Sequence, residues 1–308
     1  MITTRQFALV PFLLAACASD SESELLGGFS PPPPGPGEVQ YLSPIVRGIQ
    51  PGEDKILCSY LDAYIDEDFD IGRIAAYNTA GSHHVVLYTT SLSQPPNTHE
   101  CKDEEMVWFS LLGATTGEGG AAEYSLPDGL VRRVRGGVQL VMQTHWLNAS
   151  DEVIDGQAAF NVRYEPVSPS KTPTDFLGVT NTEFEATPGA SKASVECTFK
   201  DAVNIWQLGG HQHDLGTHVK ITFTPSGGEQ QVLFDEDWNK QWTFDPKLLD
   251  MSQAPMKVGP GDKLRVDCDW NNPHAESVRF PTEMCGGIGQ FFPSQGQLYC
   301  ANGDWLGD

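Results

Sequence analysis

At 308 residues the chain is long enough for about two domains, and 31 Gly, 22 Pro and an apolar fraction of 39% describe a loop-rich β protein with a real core, which excludes a helical bundle and a disordered chain. Its 41 acidic against 19 basic residues give a net charge of −22. That field repels nucleic acid and anionic membrane surfaces and excludes both as partners.

In chain order, residues 1–17 read as an export signal. Arg5 supplies the charge of a short n-region, an apolar run covers residues 7–14, and Leu14-Ala15-Ala16-Cys17 follows. This ending resembles the lipobox of bacterial lipoproteins, whose cysteine is lipidated and becomes the mature N-terminus. The run is too short to span a bilayer. The expected location is therefore outside the cytoplasm, on a bacterial membrane, held only by a lipid on Cys17. Residues 18–39 carry Ser, Asp and Glu and then Pro31-Pro32-Pro33-Pro34-Gly35-Pro36-Gly37, the composition of a disordered, solvated tether.

From residue 40 short runs of Val, Ile, Leu, Tyr, Phe and Thr alternate with turn clusters. Strands are predicted over 55–64, 83–90, 107–112, 137–147 and 158–164. The acidic run 62–70 is expected to be a solvated turn, since it lacks the spacing of a calcium loop. Residues 166–173 (PVSPSKTP) mark a domain boundary. A second set of strands is predicted over 194–199, 203–209, 218–223, 231–234, 240–244, 263–270 and 289–292, with a last one near Leu298. This pattern predicts an all-β protein: two antiparallel, jelly-roll-like β-sandwiches, 40–168 and 174–308, side by side with a cleft between them.

Seven cysteines less Cys17 leave six: Cys58, Cys101, Cys197, Cys268, Cys285 and Cys300. An even number in an exported chain implies disulfides, with fifteen pairings open. No CxxC is present, which argues against thiolate zinc sites.

Eight histidines are placed unevenly. His211 and His213 are two apart, so on a strand both imidazoles project to one side and can bite one metal ion; the same spacing also suits two solvent-facing histidines. His83 and His84 are adjacent and would face opposite ways on a flat strand. Both reach one ion only at a bulge or strand end, which Gly81-Ser82 permits. In residues 140–145 (LVMQTH), Gln143 and His145 share a face. Met284, beside Cys285, offers a soft sulfur suited to Cu(I), although a lone methionine is usually packing. His99 and His274 are expected in loops, and His218 on a strand facing sheet or solvent. Trp206, Trp242 and Trp270 are expected in the core or in cleft walls, and Asn148-Ala149-Ser150 is a glycosylation sequon by pattern only.

The ordered set HHVVLY, QTHW, HQHDLGTHV and EMC resembles the copper type II, ascorbate-dependent monooxygenases, the family of the peptidylglycine α-hydroxylating and dopamine β-monooxygenases. The likeness runs from Tyr41 to Cys300. It implies an oxidoreductase that hydroxylates a C–H bond with O₂, two copper ions and ascorbate or a similar reductant. His83, His84 and His145 would hold an electron-transfer copper, and His211, His213 and Met284 the copper that binds O₂. Gln143 falls where the peptide-hydroxylating members carry a glutamine facing the cleft; with Met284 it is the expected catalytic residue. The family pattern also implies the pairs Cys58–Cys101, Cys268–Cys285 and Cys197–Cys300. The match breaks at Gly209, Gly286 and Ile288, where peptide-hydroxylating members grip a carboxylate with Arg, Asn and Tyr. Two glycines are expected to open the cleft and Ile288 to make it apolar, so the expected substrate is small and neutral or apolar and the chain a monomer. The competing reading is an exported copper carrier without catalysis. A zinc hydrolase is disfavoured, because no HExxH-like pattern supplies a base.

Overall fold

The computed structural model describes residues 24–106, 108–116, 121–124, 126–243, 246–294 and 296–306. The export signal, Cys17 and residues 18–23 of the tether lie outside the described residues. Short alternating runs bounded by Gly and Pro give strands throughout, and the protein is all-β. Among the described residues the helices are two four-residue turns, Asp103–Met106 and the 3-10 turn Lys240–Thr243. No helix among them is long and apolar enough to cross a membrane.

The chain up to Pro166 builds two main sheets. One runs Asn97–Glu100, Asp54–Ile65, Val138–Leu147, Ser82–Thr90, Phe109–Thr116. The other runs Glu38–Leu42, Ala158–Pro166, Phe69–Asn78, Leu130–Val134. From Asp175 onward the chain builds two more. The larger is centred on Val203–His211, Cys285–Phe292 and Asp175–Asn181; the smaller runs Gly189–Thr198, Lys263–Asn272, Gly216–Thr224, Gln231–Asp237. Most neighbours are antiparallel. Leu298–Ala301 on Asp175–Asn181 and Thr172–Pro173 on Leu130–Val134 are parallel pairs.

Val138–Leu147 shows how the sheets place function. Leu140 and Met142 are completely buried against Val85, Leu87, Phe160 and Val162. Each such side chain contributes about 1.5–3 kcal/mol by leaving water. The alternate residues, Val141, Gln143 and His145, point to the other face, where Val141 meets Cys58, Tyr60 and Phe109. One face is thus fixed by packing and the other is free to carry chemistry. The disulfides Cys58–Cys101, Cys197–Cys300 and Cys268–Cys285 are the three pairs implied by the resemblance.

Packing revises several expectations. Residues 24–37 are docked rather than free: Gln157 bonds to the backbone of Glu24 and Leu26, and Gln40 and Asn161 both donate to the Pro32 carbonyl. The acidic run is not one solvated turn. Asp70 is wholly buried and receives Arg133 and the Ser168 amide, and a ten-residue strand begins at Phe69. Residues 240–243 form a 3-10 turn instead of a strand because Trp242 packs edge-on against Trp238 with the Lys247 ammonium over its ring. His99 lies in the strand Asn97–Glu100, not a loop, stacked on Tyr60 and bonded to Glu105. Trp206 and Trp270 are buried, as expected.

The two pairs of sheets meet through polar contacts. Arg132 reaches Asp175 and Gln290, and Gln297 donates to the Phe109 carbonyl.

Candidate metal centre

The strand Ser82–Thr90 is irregular at its start. His145 pairs with His84, but the next residue, Trp146, pairs with Ser82, so His83 is an extra residue with no opposite number. This is a β-bulge, and it turns His83 to the side of its neighbour. Gly81, with a φ of +76°, makes the break before it. His145 on the adjacent strand completes the group. One ring nitrogen from each of His83, His84 and His145 can be chosen so that all three lie within 4.8 Å of one another.

Side-chain partners choose which nitrogen each ring offers. Nε2 of His145 is 2.6 Å from Asp54 Oδ1, and Nε2 of His84 is 3.1 Å from Gln143 Oε1. Both oxygens accept, so both Nε2 atoms carry the proton and the Nδ1 lone pairs face inward. Nδ1 of His145 is 3.0 Å from Nδ1 of His83. Burial, then the unfavourable proximity of the His145 ring, pushes His83 down to about 4 and His84 to about 3. Neutral imidazoles with converging lone pairs are what a metal ion requires.

His211 ends the strand Val203–His211 and His213 stands in the turn after it, with their rings perpendicular and 5.3 Å apart. Burial, followed by His213 and then His84, pushes His211 down to about 3, and its buried Nδ1 has no hydrogen-bond partner. The Nδ1–H of His213 donates to the Thr282 carbonyl at 3.1 Å, which leaves Nε2 as the free lone pair. His211 pairs with Gly286, two residues beyond Met284, so the backbone of the Met284 segment runs beside the end of the histidine strand. The buried Glu283 carboxylate accepts from the amides of His213, Leu215 and Met284. The two histidine groups are near enough to feel one another: His213 bears electrostatically on His83 and His84, and His84 on His211.

Three expectations about the cleft are corrected. Gln143 does not face it openly: the side chain is 4% exposed, holds His84 by its oxygen and donates toward Met106 and Cys101 sulfur. Its oxygen orients the His84 ring. Gly209 opens no space, because a Cβ there would lie 2.3 Å from the Lys247 carbonyl oxygen. At Gly286 a Cβ would lie 3.0 Å from the Val179 oxygen. Main chain, not solvent, occupies the room those side chains would take.

Sequence reasoning gave no role to Asp54, Thr282 or Glu283. Asp54 lies far from His145 in sequence and meets it only through strand pairing, as Ile56 stands opposite His145 and Asp54 shares the face of Ile56. Glu283 directly precedes Met284, a position that could have prompted the question of what its carboxylate does. His218 pairs with Asp235 at 2.9 Å.

No family model matches the chain, and no curated protein does. Among solved structures it is similar to the major capsid protein P2 from Bacteriophage PM2, with 8% identity, 84% of this chain and 100% of that chain covered, and a TM-score of 0.34. The STIV MCP gives 6% identity, 82% and 96% coverage and a TM-score of 0.34. A chain of Sulfolobus Turreted Icosahedral Virus gives 8% identity and a TM-score of 0.24; 82% of this chain is covered, and it spans 58% of that chain's length. At these scores the likenesses carry no argument about function.

Proposed function

We propose that the protein is a copper-dependent monooxygenase that hydroxylates a C–H bond of a small neutral or apolar molecule, using O₂ and ascorbate or a similar reductant. The observation that carries the reading is the convergence of His83 and His84 with His145, 62 and 61 residues further on (145 − 83 and 145 − 84), into one group, with His211 and His213 meeting ring to ring in a second. The residues of the first group fit a metal ion. His83, His84 and His145 would hold one, and the buried, unpartnered Nδ1 of His211 leaves a donor to be claimed in the set His211, His213 and Met284. A three-nitrogen site accommodates both copper oxidation states, whereas a thioether favours Cu(I). When bound, the two coppers would supply one-electron transfer and O₂ reduction. The protein's own part is orientation: Asp54 and Gln143 fix the proton on the outer nitrogen of His145 and His84, and Thr282 does so for His213 from the other side.

Nothing at Gly209 replaces a carboxylate-gripping arginine, so glycine-extended peptides are predicted not to be turned over; measurable amidating activity would contradict this. The same filled position favours a second reading, an exported copper carrier. The two are separated by ascorbate-dependent O₂ uptake coupled to a hydroxylated product rather than to peroxide. Metal analysis after copper reconstitution tests the ligands. Two coppers are expected in the wild type and about one in Met284→Ala, with O₂ chemistry lost. An unchanged count would overturn the assignment of Met284. The export signal and Cys17 lipidation belong to the same proposal, and labelling with a fatty-acid analogue that Cys17→Ser abolishes is the expected result.

A further inference from the structure

Glu283 is 0% exposed, and burying a carboxylate is costly unless its oxygens are satisfied. Main-chain donors satisfy it here. Oε1 accepts from the His213 amide at 2.5 Å and from the Met284 amide at 2.9 Å, while Oε2 accepts from the Leu215 amide at 2.9 Å. A single oxygen therefore ties together the backbones of two residues named above as ligands, although they are 71 positions apart (284 − 213). Bonds to an ionised acceptor are the stronger kind. The surroundings brace the same turn: the Trp238 indole donates to the His213 carbonyl at 2.9 Å, and Cys285 is bridged to Cys268.

We propose that Glu283 is a positioning residue that clamps the His213 turn to the Met284 segment, so that the second ligand set is assembled before any metal arrives. The inference rests on the reading of His211, His213 and Met284 as ligands. A carboxylate that only stabilised the sheet could bond any amides; this one selects those of a candidate ligand, of Leu215 two residues on, and of Met284. Its removal should therefore loosen two short segments and spare the rest of the protein. The first histidine group, in the same molecule, serves as internal control.

The test uses full-length Glu283→Ala and Glu283→Gln, with amide hydrogen exchange on the metal-free protein and titration with Cu(I) alone. In Glu283→Ala the amides of His213, Leu215 and Met284 should exchange about tenfold faster or more, with Val138–Leu147 unchanged. Affinity for the second Cu(I) should fall about 10–100-fold, the cost typical of lost outer-shell support, and the first should bind as in wild type. Glutamine keeps one oxygen for the shared His213 and Met284 amides but turns an NH₂ toward Leu215, so in Glu283→Gln only the Leu215 amide should speed up, with a smaller affinity loss. Wild-type exchange at all three amides in Glu283→Ala, or equal acceleration along the whole chain, would overturn the clamp, as would an unaltered second Cu(I) affinity. A wild-type protein that takes up only one Cu(I) overturns the ligand reading instead, and the exchange pattern alone then decides whether Glu283 holds the two segments together.

Discussion

Around His83, His84 and His145 two rings are held by side chains, Asp54 on one and Gln143 on another, while a bulge turns the third. Around His211, His213 and Met284 the hydrogen bonds run to the main chain, the Thr282 carbonyl on a ring and three amides on Glu283, with a disulfide beside the methionine. Both arrangements fix ring protons, the first through Asp54 and Gln143 and the second through Thr282, and only the second also ties two chain segments together through one carboxylate.

The sharpest way to break the comparison is to remove a ring. His145→Ala should abolish copper at the first group and leave the second occupied, reducing two ions to one by metal analysis; loss of both would mean that the groups are not independent. Next in size is acid. Imidazoles in the unfolded chain titrate near 6.5, whereas burial holds His83 at about 4 and His84 and His211 at about 3. Between those limits the unfolded state binds more protons, so the metal-free protein should be at full stability above about pH 7 and lose it as pH falls toward 3. Urea midpoints across that range measure this, and a flat profile would contradict it. Replacing Cys268 and Cys285 by serine opens a loop with a sequence separation of 17 and should cost about 3 kcal/mol in urea unfolding, with the second copper weakened more than the first. The smallest effect is expected from Asp54→Asn. Its carboxylate is 63% exposed, so first-site affinity should drop only about tenfold, the low end for an outer-shell partner. A larger drop at the second site would reverse the comparison.

Strand periodicity made most of the fold legible. The alternation in 137–147 predicted both the strand and the shared face of Gln143 and His145. The requirement that adjacent histidines meet only at a break pointed to the irregularity at Gly81-Ser82, and the bulge is there. The strand Phe69–Asn78 was missed because its acidic approach looked like a turn; only the Arg133 partner makes a buried Asp70 tolerable. Gly209 and Gly286 were misread because absence of a side chain looks like space, whereas here it admits the main chain of Lys247 and Val179. The outer supports could not be read at all. Asp54 meets His145 through strand pairing, and Glu283 meets the His213 turn across two strands that are neighbours only in the folded sheet.

None of the three disulfides joins the chain before Pro166 to the chain after Asp175. The longest, Cys197–Cys300, closes a ring over most of the second part, with a sequence separation of 103. A protease that nicks the backbone anywhere inside that ring therefore leaves one covalent species, whose gel mobility changes only after reductant is added. A cut between 166 and 175 yields two fragments even under oxidising conditions, held only by contacts such as Arg132 with Asp175 and Gln290. Limited digestion run with and without thiol thus separates the two halves of the molecule by chemistry alone.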